Sequence, residues 1–131
     1  MEKIVLVDDD EDLLLVLTHA LRANGYDVTP LADPAQIMSS IVSLQPNIVI
    51  LDIDLGNADG RLICRQLKAM HGYKQLPVVL YSGLEEDKDT LLTCNADLFL
   101  HKPLSTSYFL KKIAGITPAR WRSNSAVQAG R

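Results

Sequence analysis

Cysteine is scarce in this chain of 131 residues, and the two present, Cys64 and Cys94, have neither zinc-type spacing nor the numbers for a disulfide framework. Reduced thiols in a cytoplasmic compartment are expected. Aromatic residues make up only 5% of the sequence, and the one tryptophan, Trp121, stands between Arg120 and Arg122 in a stretch that reads as a solvated linker. No apolar run approaches the ~20 residues needed to cross a bilayer, and Met1-Glu2-Lys3 leads directly into a short apolar strand. Neither a membrane segment nor a signal peptide is expected. Positive charge is also sparse. The net charge is −3, and Arg120, Arg122 and Arg131 are the only charges after residue 115, which leaves −6 on residues 1–115. A face that neutralises nucleic-acid phosphates needs the opposite sign, so direct nucleic-acid binding by this part is excluded. His19, His71 and His101 are scattered without metal-ligand spacing and read as surface or partly packed histidines.

What is present is enough apolar residues, 47%, to bury one core at this length. Strand-length apolar runs alternate with segments of helical period, the pattern of a parallel sheet covered by helices on both faces. Strands are predicted at Lys3–Val7, Tyr26–Leu31, Asn47–Asp52, Leu76–Ser82 and Asp97–His101. Pro30 places the second at a sheet edge, because proline donates no ladder hydrogen bond. The third is apolar enough to be buried on both faces and central. Helices are predicted at about residues 10–24, 34–44, 60–70, 85–93 and 105–114. In the first, Leu13, Leu14, Leu17 and Leu21 share one face, Asp10, Glu11 and Asp12 lie in the first turn as partners of the helix dipole, and Gly25 ends it. Asp33-Pro34 reads as an N-cap followed by proline at the first helical position.

Each chemistry-bearing residue ends one of these apolar runs: Asp8 and Asp9 the first, Asp52 the third, Ser82 the fourth, with Lys102 before Pro103 after the fifth. In an open parallel sheet the carboxyl ends of the strands converge on one crevice, so these residues meet there. Three carboxylates at that density repel one another unless a hard divalent cation sits among them. Without metal, the crowding is expected to hold at least one carboxylate pKa above its ordinary value. An isolated aspartate or serine at a strand end is usually a turn former or cap; the set, not any one member, points to metal-dependent phosphate chemistry.

Residues 3–114 resemble the receiver domains of two-component response regulators. The resemblance rests on Val7-Asp8-Asp9-Asp10, Leu51-Asp52-Ile53-Asp54-Leu55, Asp59-Gly60, Tyr81-Ser82-Gly83, Asn95-Ala96-Asp97 and Lys102-Pro103, in the family's order and near its spacing. It implies a doubly wound α/β fold with a flavodoxin-like strand order 2-1-3-4-5. Residues 1–115 would form the phosphoacceptor domain, and residues 116–131 a partly disordered tail or linker. Asp52 would be the phosphoacceptor. Mg2+ or Mn2+ would be held by Asp8, Asp9, Asp52 and the main-chain carbonyl of Asp54. Ser82 and Lys102 would contact the phosphoryl group, and Ser82 with Phe99 would form the switch. The implied partners are a sensor histidine kinase or phosphotransfer protein and an output partner or domain, with a phosphorylation-dependent homodimer as a further assembly. Turnover would be limited to self-catalysed phosphorylation and dephosphorylation.

The chain departs from the family at several positions. Gly56 stands where a proline is usual, Ser82 and Lys102 are 20 positions apart instead of about two more, Phe99 replaces the commoner tyrosine, and Leu104 a common phenylalanine. Two other readings stand beside this one. A receiver-like module could dock partners without being phosphorylated. Asp52-Ile53-Asp54 also resembles the nucleophile motif of haloacid-dehalogenase-type phosphatases, but that motif normally follows the first strand, and no cap insertion is present here.

Overall fold

The computed structural model describes residues 2–83, 94–103 and 105–116. In chain order these form β1 (Lys3–Val7), α1 (Glu11–Ala23), β2 (Asp27–Leu31), a 3-10 turn (Pro34–Gln36), α2 (Ile37–Leu44), β3 (Ile48–Asp52), α3 (Gly60–Ala69), β4 (Val78–Ser82), β5 (Leu98–His101) and α4 (Thr106–Ile116). The helix expected at about residues 85–93, Leu104, and the stretch containing Trp121 lie outside the described residues.

The five strands are all parallel, in the order β2-β1-β3-β4-β5. Pro30 accordingly sits on an edge strand, and every residue of β3 and β4 is buried. Side chains alternate between the two faces. One face packs Ile4, Leu6, Ile50 and Tyr81 against Leu14, Leu17 and Leu21 of α1 and Phe109, Ile113 and Ile116 of α4. The other packs Val5, Val7, Leu51 and Leu80 against Ile37 and Ile41 of α2 and Cys64 and Leu67 of α3. Each such aliphatic side chain contributes about 1.5–3 kcal/mol on burial.

Several boundaries differ from the sequence expectation for identifiable reasons. Asp10 is not in the first turn of α1 but caps it, accepting from the Leu13 amide at 3.1 Å. The second helical segment opens as a 3-10 turn, capped by Asp33 through the Ala35 amide as expected, and becomes α-helical only at Ile37. Strand β4 starts two residues late, because Pro77 has no amide and Leu76 is held in a turn by Tyr73. Helix α4 begins with the Tyr108 amide donating to Ser105 Oγ. It runs through Gly115 to Ile116, since Phe109, Ile113 and Ile116 keep helical spacing on the buried face. Ile116 is therefore part of the buried core.

Cys64 and Cys94 are both buried free thiols, and the Cys64 thiol donates to the Cys94 carbonyl at 3.3 Å. Burial, with Cys94 beside it, pushes the Cys64 pKa up to about 12. Among the described residues no helix is long and apolar enough to cross a membrane.

Candidate functional site

Strand register brings the candidate residues together. Val7 pairs with Leu51, Leu51 with Leu80, and Leu80 with Phe99. Asp8 and Asp52 thus project one residue beyond this row, Ser82 two and Lys102 three, all at the carboxyl edge of the sheet. Asp8, Asp9, Asp10, Asp52, Asp54, Ser82, Gly83 and Lys102 line one open cleft of about 270 Å3 there. Phe99 is not in that lining. It is half-buried in β5, packed against the core on the α2–α3 side.

The ammonium of Lys102 is the centre of the cluster. It donates to Asp8 Oδ2 at 2.9 Å and to Asp52 Oδ2 at 3.1 Å. The Lys102–Pro103 peptide bond is cis. Asp8 is fully buried, and its second oxygen accepts from the Asp10 amide at 2.9 Å. Asp52 is 4% exposed, with its other oxygen 3.2 Å from the Asp54 amide. Ser82 is buried, and its carbonyl accepts from the Lys102 amide at 2.7 Å, tying the two phosphate-contact candidates together through the backbone.

Burial is the largest influence on Asp52 and raises its pKa from 3.8 to about 6, with Lys102 opposing and Asp8 adding to the rise. The expectation that a carboxylate is raised holds, but like-charge crowding is the lesser cause. Burial also disfavours the Lys102 charge, yet its hydrogen bonds and the charges of Asp8 and Asp52 outweigh this and hold its pKa above the ordinary value.

Carboxylate oxygens of Asp8, Asp9 and Asp52 all lie within 4.8 Å of one another. Three anionic oxygen donors facing one ammonium leave uncompensated negative charge, the donor set that a hard divalent cation takes. The residues fit such an ion. Asp54 also lines the cleft. It forms an isolated bridge with Asp59, in which the Gly60 amide bonds Ile53 O and the Leu55 amide bonds Ala58 O, so the bridge does not use the Asp54 carbonyl. The Asp54 side chain turns back to accept from the Gly56 amide at 3.3 Å. Gly56 has φ +76°, which a proline ring cannot adopt. Proline at this position would therefore require a different loop conformation.

Gly60 fixes the loop from below. A Cβ there would overlap the carbonyl oxygen of Asp52. Gly60→Ala should therefore destabilise the fold by about 2 kcal/mol through overpacking against backbone. A urea midpoint equal to wild type would show that the close approach does not constrain Asp52. Asp59 caps α3 through the Arg61 amide and pairs with the Arg61 guanidinium at 2.8 Å, which holds its carboxyl below the usual range.

Two features escape sequence reading. Lys68 of α3 is buried, donating to Leu76 O, to Lys74 O and to Asp97 Oδ2, which also accepts from the Val78 amide. Its signal was its place one residue from Leu67 and four from Cys64 on the buried helix face. The second is Tyr81, whose ring centroid lies 4.3 Å from Lys102 Nζ. Nothing in one-dimensional spacing marks that contact.

A family model described as the response regulator receiver domain matches residues 4–114. The DNA-binding response regulator MtrA of Mycobacterium tuberculosis is 31% identical over 125 residues, covering 94% of this chain and 52% of that protein. The alkaline phosphatase synthesis transcriptional regulatory protein PhoP of Bacillus subtilis is 29% identical over 106 residues, covering 79% of this chain and 43% of that protein. The chain thus spans about half the length of the curated relatives it matches. A CheY-like response regulator receiver domain protein from Methanospirillum hungatei superposes with TM-score 0.85 at 21% identity, covering 94% of this chain and 98% of that one, a likeness of fold. Sheet order, acidic cleft and family match converge: the chain belongs to the response regulator receiver domain family.

Proposed function

We propose that Asp52 is the phosphoacceptor of this receiver and that Asp8, Asp9, Asp52 and the Asp54 carbonyl hold Mg2+ or Mn2+. The single observation carrying this is the Lys102 ammonium bridging Asp8 and Asp52 on the wall of an open acidic cleft. An ionised Asp52 oxygen forms a bond to phosphorus as the bond from phosphorus to the donor breaks. The donor is a phosphohistidine nitrogen on a sensor histidine kinase or phosphotransfer protein, or a small acyl phosphate. Phosphoryl transfer of this kind needs positioning and charge neutralisation more than covalent activation. The divalent cation supplies part of that neutralisation when bound. Lys102 supplies the rest, and its pairing with Asp52 keeps the nucleophile ionised against its burial.

The Ser82 hydroxyl and Phe99 form the switch: the hydroxyl moves to a new phosphoryl oxygen and the ring moves into the space released. The domain spans residues 1–115, is cytoplasmic, and acts as a signalling module whose only turnover is its own phosphorylation and dephosphorylation. The acidic balance assigns no nucleic-acid contact to it, so output passes to another domain or partner, as the DNA-binding name of the mycobacterial relative suggests. A phosphorylation-dependent homodimer is one such output.

Incubation with acetyl phosphate and Mg2+, followed by intact-mass spectrometry, should give a single phosphoryl adduct. EDTA should abolish it. Absence of any adduct with metal present would leave a docking module that is not phosphorylated, and turnover of a phosphomonoester would instead indicate a phosphatase.

A further inference from the structure

Lys102 has a third contact besides its two carboxylates. Its Nζ lies 4.3 Å from the centroid of the Tyr81 ring, inside the range at which an ammonium is attracted by the negative face of an aromatic quadrupole. Tyr81 is 2% exposed, and its ring is braced by Phe109 of α4 at 6.0 Å between centroids. The Tyr81 hydroxyl is buried with no hydrogen-bond partner among the described residues. Burying an unpaired hydroxyl costs about 1–3 kcal/mol, so packing alone favours phenylalanine or leucine here. The ring face is the part of this side chain that meets the Lys102 ammonium.

We propose that Tyr81 is a positioning residue that holds the Lys102 ammonium at the phosphoryl-contact position through its ring face. The proposal rests on the reading of Lys102 given above. Its physical basis is a difference in how the three contacts respond to metal. The attraction of Asp8 and Asp52 for the ammonium weakens when a divalent cation takes up their charge, whereas a neutral ring is not titrated or neutralised by the metal. The Tyr81 ring is buried and the Lys102 side chain is 20% exposed, so on the ring side of the ammonium little water competes. Tyr81 therefore matters most when the carboxylates are loaded. It then keeps the long, rotamer-rich lysine chain from leaving the cleft before the phosphoryl group arrives.

Three variants separate this role from core packing. Tyr81→Phe keeps the ring face and removes the unpaired hydroxyl. Tyr81→Leu removes the face at similar apolar burial. A series at position 81 of phenylalanine bearing one, two and then five fluorines weakens the face while retaining shape, and decides the matter if Tyr81→Leu does not fold. In the Mg2+-loaded, unphosphorylated protein, the Lys102 ε-methylene proton resonances should lie upfield from the ring current in wild type and Tyr81→Phe, and return to ordinary values in Tyr81→Leu. With acetyl phosphate, the maximal phosphorylation rate should be unchanged in Tyr81→Phe and about fivefold lower in Tyr81→Leu, falling stepwise with fluorination at little change in the donor concentration for half-maximal rate. Ordinary Lys102 shifts in wild type, or equal rates across the fluorinated series, would overturn the proposal. If wild type accepts no phosphoryl group, the proposed function fails while the resonance measurement still decides whether the ring holds the lysine.

Discussion

Lys102→Ala should destabilise the metal-free protein by about 3 kcal/mol at about pH 7.5, because it leaves two buried carboxylates without their cation. Asp8 has no exposed surface and the Asp52 side chain only 6%, so water replaces the ammonium poorly at either. The loss should be smaller at about pH 5, where Asp52 escapes the penalty by taking up a proton. Mg2+ should recover most of it, since a divalent cation neutralises the same oxygens and binds only the folded arrangement. Metal binding is thus retained in the variant, whereas the phosphorylation-induced spectral change is expected to be largely lost along with the cation that contacts the phosphoryl group. Urea melts at the two pH values, with EDTA and with Mg2+, check the stability part. A variant as stable as wild type without metal would mean that the bridge carries no net stabilisation.

Asp52→Asn should have two effects of opposite sign. Phosphorylation is abolished, because the amide offers no anionic oxygen at nearly the same volume. Metal-free stability should rise. Folding moves the Asp52 pKa from 3.8 to about 6, so between these values the folded state binds more protons than the unfolded state. Stability contributed by this group therefore falls as pH rises through that window and stays low above it. The penalty for the ionised form is at most about 3 kcal/mol, and asparagine removes it while Asp8 keeps Lys102 as a partner. The variant should exceed wild type by about 1–2 kcal/mol at about pH 7.5 in EDTA, with the gap closing toward pH ~4. It should also gain less from Mg2+. Thermal melts across this range test the sign, and a metal-free wild type at least as stable as the variant would contradict the picture of a buried, metal-seeking carboxylate.

The legible part of this protein is the part governed by local pattern. Four apolar runs closing on Asp8, Asp52, Ser82 and the turn before Lys102 fix both the sheet and the edge at which these residues meet, because strand period and parallel topology leave few alternatives. Pro30 marked its edge strand for the same reason. What escaped reading depends on contacts between distant elements. Whether Lys68 bends inward to Leu76 and Asp97 is decided by helix rotation against β4, and whether a tyrosine ring lies beneath Lys102 is decided by two side-chain rotamers. The pKa of Asp52 was anticipated in direction but assigned to crowding, since burial depth is invisible until the strands are assembled. The conformation of Gly56 escaped reading too: it takes a positive φ, with its amide tied to Asp54.

The phosphoryl group is expected on Asp52 and nowhere else. Protein treated with acetyl phosphate and Mg2+, then reduced with borohydride, converts an aspartyl phosphate to homoserine, and peptide mapping locates the converted residue. Asp52 as the phosphoacceptor requires homoserine at position 52 and at no other acidic residue of the cleft. Homoserine at Asp8, Asp9 or Asp54, or a phosphoryl adduct that yields none, would contradict it.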